Sequence, residues 1–222
     1  MTGTVRDQIF EKLQNSPAGP EHREPDILRC RPQVPEDRDG LVEAFCAKFT
    51  GQTGILYEHD PAWDISETLA RICTEHGISR IVSTSDKNLS EAGLPGAAEN
   101  AGLEISAQAD FKDRRAFTDA VFEYADAGLT GADFAIAESG TLVLVFDRDN
   151  ARLVSLAPEI HIAVLFKDHI VALYEHAAER IFSGGKAPSQ VAFITGPSMT
   201  ADIRGQQFKG MHGPRKLIVL LI

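Results

Sequence analysis

The chain has little sulfur. Cys30, Cys46 and Cys73 are the only three cysteines among 222 residues, and no two form a C-x-x-C pair. An odd, scattered set with no secretory leader fits reduced thiols, not a disulfide framework. Such a set cannot alone hold an iron–sulfur cluster or a structural zinc, which need about four soft ligands at compact spacing. Long apolar runs are lacking too. "LIVLLI" at 217–222 is far shorter than a spanning helix, and "MTGTVRDQIF" leads into a polar stretch instead of a signal core. The expected location is the cytoplasm, with no membrane span. Basic residues are outnumbered, 22 against 32 acidic, for a formal net charge of −10. That balance argues against nucleic acid or an anionic membrane as the main partner, because binding phosphates needs a basic face.

What is present is an ordinary globular composition, 43% hydrophobic, enough for a substantial core. "VRDQIFEKLQN" at 5–15 has helical apolar spacing. The stretch 16–40 carries five of the 11 prolines and many charges, so it reads as a loop or arm. From residue 41 onward helices and strands alternate. "LVEAFCAKFTGQ" and "AWDISETLARICTEHG" read as helices, the second with Asp64 or Ser66 as N-cap and Gly77 as stop. "RRAFTDAVFEYADAG" and "IVALYEHAAERIFSGG" read as two more. "TGILYEH", "SRIVSTSD", "LEISAQ", "QVAFITG" and "KLIVLLI" read as strands. Val/Ile/Leu-rich strands between glycine-terminated helices predict an α/β fold, a mostly parallel sheet covered by helices on both faces. Residues 131–166 depart from this pattern. "DFAIAE", "GTLVLVF", "ARLVSLA" and "IHIAVLF" are four strand-like runs with no helix between them, which predicts an inserted antiparallel meander. The domain division is therefore 1–40, N-terminal helix and Pro-rich arm, and 41–222, one α/β domain.

In open α/β sheets ligands bind at the carboxyl ends of strands. Three stretches qualify: Ser83, Thr84, Ser85 and Asp86; Glu138, Ser139, Gly140 and Thr141; and Gly196, Ser198, Thr200 and Asp202. In the third, Gly196 permits a sharp turn and Ser198 or Thr200 is placed to cap a helix starting near Ala201, whose free N–H groups would favour an anion. Simple capping with no ligand is the bland alternative. Glu138 has the setting of a nucleophile, a general base or a hydroxyl ligand. It equally fits a turn cap, with Gly140 relieving a bulge and Ser139 and Thr141 bonding the backbone. His161 and His212 are candidate bases or structural hydrogen-bonders. Glu175, His176 and Glu179 read as a solvated helix face and not a metal site. Arg114–Arg115 and Arg215–Lys216 either attract an anionic ligand or are exposed charge. One cleft fed by all three stretches is expected, with Ser198, Thr200 and nearby N–H groups holding an anion and Glu138 acting as acid–base group.

"GLTGADFAIAESGTLVL", "NARLVSLAPEIHIAV" and "GPSMTADIRGQQFKGMHGPRKLIVLLI", taken in order, resemble the lactate utilization protein C family, the stand-alone form of the LUD domain, over roughly 41–222. The resemblance implies a fold like that of the sugar-isomerase and coenzyme A transferase superfamily. It implies a subunit of an L-lactate oxidation system, lactate to pyruvate, whose sister subunits carry the iron–sulfur clusters while this chain carries none. Within that superfamily, Glu138–Ser139–Gly140 resembles the nucleophile turn of coenzyme A transferases. Gly131–Ala132–Asp133 resembles the "GAD" of pentose-phosphate isomerases, whose acid takes part in proton transfer. The alternative function is an independent isomerase or acyl/CoA-transfer enzyme using Glu138, and a regulatory binder is a third.

Overall fold

The computed structural model describes residues 5–15, 34–94, 102–146, 151–185, 187–201 and 207–222. Gln33–Ile222 forms one compact unit. The helix α1, Val5–Gln14, lies outside that unit, and most of the Pro-rich arm lies outside the described residues.

The frame is a six-stranded, wholly parallel sheet. Its strands are β1 (Ile55–Glu58), β2 (Arg80–Ser83), β3 (Glu104–Ala107), β4 (Ala127–Gly131), β7 (Ile160–Leu165) and β12 (Lys216–Leu221), in the order β1-β12-β7-β4-β2-β3. The unbroken apolar run of β12 follows from burial on both faces. Ile218 and Leu220 enter one core with Leu69, Ile72 and Cys73 of α3 (Ile65–His76). Leu217, Val219 and Leu221 enter the other with Phe45 and Phe49 of α2 (Arg38–Gly51). Helix α3 begins where the Asp64 carboxylate accepts the Ser66 N–H at 2.8 Å, and it ends at Gly77, φ 67°, a left-handed cap that glycine adopts without strain.

A second, four-stranded sheet shares the α2 core. It is built from β5 (Phe134–Ile136), β6 (Thr141–Phe146), β8 (Ile170–Val171) and β9 (Gln190–Ile194), in the order β8-β5-β6-β9. Its outer face carries Val143 and Val171 under Ala177 of α7 (Tyr174–Phe182). A two-stranded ribbon, β10 (Met199–Ala201) with β11 (Gln207–Lys209), completes the described strands.

The α/β fold with a parallel sheet between helices is as expected, but the four-strand meander needs correction. β5 and β6 do pair antiparallel, while "IHIAVLF" is β7, parallel and central. Between β3 and β4 the chain forms α5 (Arg114–Asp119), and "ARLVSLA" contains the short helix α6 (Leu153–Leu156), whose Val154 lies over β4. The helix expected from Ile170 starts only at Tyr174, because Ile170 and Val171 pair with β5 as β8.

Candidate functional site

Adjacent strands β2 and β4 send their chains to opposite faces of the sheet. After β2 the chain turns into α4 (Lys87–Glu91), whose Leu89 joins the α3 core. After β4 it turns into β5, whose Ala135 joins the α2 core. Where neighbouring loops part in this way, an open parallel sheet has a crevice beyond its carboxyl ends. Here a cavity of about 310 Å³ opens at that point, with Ser83, Thr84, Ser85 and Ser90 on its polar side and Leu103 and Ile105 on its apolar side.

The crevice is held by Asp86. One carboxylate oxygen caps α4 through the Leu89 N–H at 3.0 Å, and the other accepts the Gly131 N–H at 2.8 Å together with the Thr84 hydroxyl. Asn88 adds a side-chain bond to the Ala132 carbonyl at 3.0 Å. Gly131 is required by space, since a Cβ there would lie 2.3 Å from the Asp86 carboxylate. The Asp86 carboxylate is satisfied by three donors, Asp110 on the same lining accepts the Ala107 N–H at 2.7 Å, and the Ser83 and Ser85 hydroxyls also line the cavity. Asp86→Ala is expected to destabilise the fold by about 2–4 kcal/mol, through loss of the cap and an orphaned Gly131 N–H. Urea unfolding of the purified variant checks this, with a loss below about 0.5 kcal/mol as the contrary result.

The other two stretches sit at the far end of the sheet. Arg38, at the start of α2, donates to the carbonyls of Lys167 and Ile170 beyond the carboxyl end of β7, and α2 then runs about 20 Å to the opposite end, just before β1. Gly140 packs against that far end, against the backbone of Lys48 and Phe49, and Gly196 packs against Gln52. A chain of hydroxyls joins them, Ser139 to Thr141 at 2.8 Å and Thr141 to Thr195 at 2.7 Å. Glu138 accepts the Tyr174 N–H at 3.0 Å and so caps the first turn of α7. Asp133 is on the exit from β4, where its carboxylate accepts the Val145 N–H at 2.7 Å and ties β5 to β6.

The expected single cleft is therefore corrected, because Ser83–Asp86 and Glu138–Thr141 lie at opposite ends of the parallel sheet. The expected helix near Ala201 is corrected as well. Met199–Ala201 is extended, and Thr200 pairs with Phe208 across the ribbon. Ser198 donates its N–H to the Pro214 carbonyl at 2.9 Å and lies beside Gly213, with His212 in the adjoining turn. Asp202 lies outside the described residues.

His161 is wholly buried on β7, with Nε2 2.8 Å from the Thr130 hydroxyl on β4 and Nδ1 without a hydrogen-bond partner among the described residues. Burial pushes its pKa down to about 4, so the ring is neutral. The Cys73 thiol, also buried, is pushed up to about 11 and is inert at neutral pH. Among the described residues no group of three or more His, Cys, Asp or Glu is placed to hold a metal ion, and no helix is long and apolar enough to cross a membrane. Sequence reasoning touched Gly131 only through the Gly131–Ala132–Asp133 resemblance and did not single out Asn88, Thr130 or Thr195. The visible trace of the first was two of the smallest residues, Gly131 and Ala132, directly after a strand.

A doubly covered parallel sheet with a crevice where β2 and β4 part defines the class: an open α/β domain. Within it, the LUD domain matches residues 42–222, and the chain belongs to that family. Relatives named Lactate utilization protein C include one from Geobacillus sp. (strain WCH70), 34% identical over 167 residues, covering 72% of this chain and 69% of that protein. Another, from Oceanobacillus iheyensis, is 34% identical over 150 residues, covering 64% of this chain and 63% of that protein. The match thus spans somewhat less than two thirds of the Oceanobacillus protein. The crystal structure of a DUF162 family protein from Deinococcus radiodurans has the same fold, with a TM-score of 0.62 and 22% identity over 84% of this chain and 99% of that one.

Proposed function

We propose that the chain is a cluster-free subunit of a lactate-utilization system and that the crevice at the carboxyl ends of β2 and β4 takes a small hydroxy- or keto-acid. The observation that carries the functional reading is the 34% identity to proteins named Lactate utilization protein C across 72% of the chain. In this reading the Ser83 and Ser85 hydroxyls meet the acid's carboxylate, while Thr84, whose proton goes to Asp86, helps Asp86 keep both crevice walls in register. Oxidising lactate to pyruvate removes two electrons and two protons. With three scattered cysteines here, the reading places the iron–sulfur carriers that accept those electrons in sister subunits. Glu138 is assigned to positioning α7, because its carboxylate is bonded to the Tyr174 N–H. The rival reading, an independent isomerase or acyl-transfer enzyme built on Glu138, is less well supported for that reason.

Deleting the gene in its host is expected to abolish growth on L-lactate as sole carbon source, with restoration by the wild-type chain and not by Ser85→Trp. Ser85 is exposed at the crevice mouth, so the indole fills the site without entering the core. Undiminished growth of the deletion strain on lactate would contradict the proposal.

A further inference from the structure

At the amino-terminal end of the sheet, opposite the crevice, three basic side chains gather around one lining carboxylate. Lys209 from the end of β11, Arg215 and Lys216 from the start of β12, and His76 from the end of α3 line one cavity of about 520 Å³, with Glu159 as its sole acid among the described residues. None of the three cations forms an ion pair among the described residues, although the whole chain carries an excess of ten negative charges.

Each group is held in place. The Arg215 and Lys216 N–H groups both bond the Glu159 carbonyl, at 2.8 and 3.2 Å. The Arg215 stem lies on Gly210, φ 84°, where a Cβ would fall 1.9 Å from the Arg215 Cγ. Glycine there supplies both the left-handed turn and the room for the arginine. Lys209 donates to the Thr53 hydroxyl at 2.9 Å. Thr53 itself has φ 66°, a conformation that a β-branched residue holds only at a cost in strain. Tyr57 gives its hydroxyl proton to Glu75 and lies 3.1 Å from His76 Nε2, which leaves His76 Nδ1 facing the Lys216 ammonium at 3.4 Å. Burial and the neighbouring Lys216 lower the His76 pKa against the opposing pull of Glu75. Arg215 and Glu159 also border a second cavity of about 360 Å³, whose apolar wall includes Phe122, Leu156 and Met211, exposed by 62%, 46% and 66%.

We propose that this corner, where Lys209, Arg215 and Lys216 converge beside an apolar shelf, is a binding site for a phosphate-bearing ligand. A multivalent anion supplies the charge that the chain withholds there, and guanidinium plus two ammonium groups suit phosphate oxygens. The site is separate from the crevice and does not depend on what the crevice binds.

Calorimetric titration of the full chain with inorganic pyrophosphate and with ADP tests it. Both are expected to bind, more weakly as salt rises, and Arg215→Met or Lys216→Met is expected to raise each dissociation constant by about tenfold or more. Methionine keeps an apolar stem over Gly210, so loss of charge is separated from loss of packing. Arg114→Met, far from this corner, is expected to change nothing. Tighter binding of ADP than of pyrophosphate assigns the apolar shelf to an organic phosphate, and equal binding assigns the site to phosphate alone. Absence of binding by either probe, unchanged affinity in both corner variants, or loss through Arg114→Met overturns the proposal.

Discussion

Gly140→Ala is expected to lower stability by about 3–5 kcal/mol, which would leave much of the protein unfolded. Two independent costs combine. Gly140 has φ 65°, where an L side chain is strained by roughly 1 kcal/mol. A Cβ would also stand 2.5 Å from the Phe49 nitrogen and 2.7 Å from the Lys48 carbonyl carbon, both backbone atoms at the end of α2. Backbone in a packed helix cannot rotate aside as a side chain does, so relief requires moving α2 away from the second sheet. Gly77→Ala separates the two costs. Gly77 has φ 67° but open space around its Cβ position, and the expected loss is only about 1 kcal/mol. Urea unfolding of both variants checks the difference, and equal losses would show that the contact of Gly140 with α2 contributes nothing.

The second large effect is in acid. His161 is wholly buried, and its pKa in the folded chain, about 4, lies below the ordinary 6.5. Between these values the unfolded chain binds a proton that the folded chain refuses, so stability rises with pH across that window. The contribution is complete above about pH 6.5 and is lost as pH falls toward 4, amounting to roughly 3 kcal/mol. His161→Leu removes the titrating ring while keeping the site filled. The variant should lose about 1 kcal/mol at pH 7 from the unpaired Thr130 hydroxyl, yet show a much flatter profile from pH 6.5 to 4. Unfolding curves at half-unit pH steps measure this, and parallel profiles for the two proteins would place the acid sensitivity elsewhere. Other groups, His76 included, are common to both proteins and cancel in the comparison.

How much of this was legible in the sequence differs by element. Helix α3 announced both its ends, because Asp64 and Gly77 act through local geometry alone. β12 and β7 were legible as strands because burial on both faces demands continuous apolar runs. β4 was not: "AGLTG" carries little hydrophobic signal, and it is a central strand because Gly128 lies under the Val154 carbonyl and Gly131 beside Asp86. Small residues there record close approach by segments distant in sequence, which no local pattern reveals. "ARLVSLA" alternates like a strand, yet its backbone closes a helical turn over Gly128. The strand-end hydroxyls at 83–85 stood out, since an open sheet concentrates such groups at its carboxyl ends. That Glu138 and Gly196 belong to the other end depends on the reversal between β5 and β6 and on α2 running back along the sheet, both tertiary facts. The cationic corner was half visible as Arg215–Lys216, while Lys209 and His76 reach it from other elements.

The measurement that tests the account most directly is calorimetric titration of pyruvate into the wild-type chain, Ser85→Trp and Glu138→Gln. The account predicts saturable one-site binding to the wild type, loss of binding in Ser85→Trp, and retention in Glu138→Gln, whose residue lies at the other end of the sheet. Binding that survives Ser85→Trp and disappears in Glu138→Gln would contradict it and move the acid site to the turn between β5 and β6.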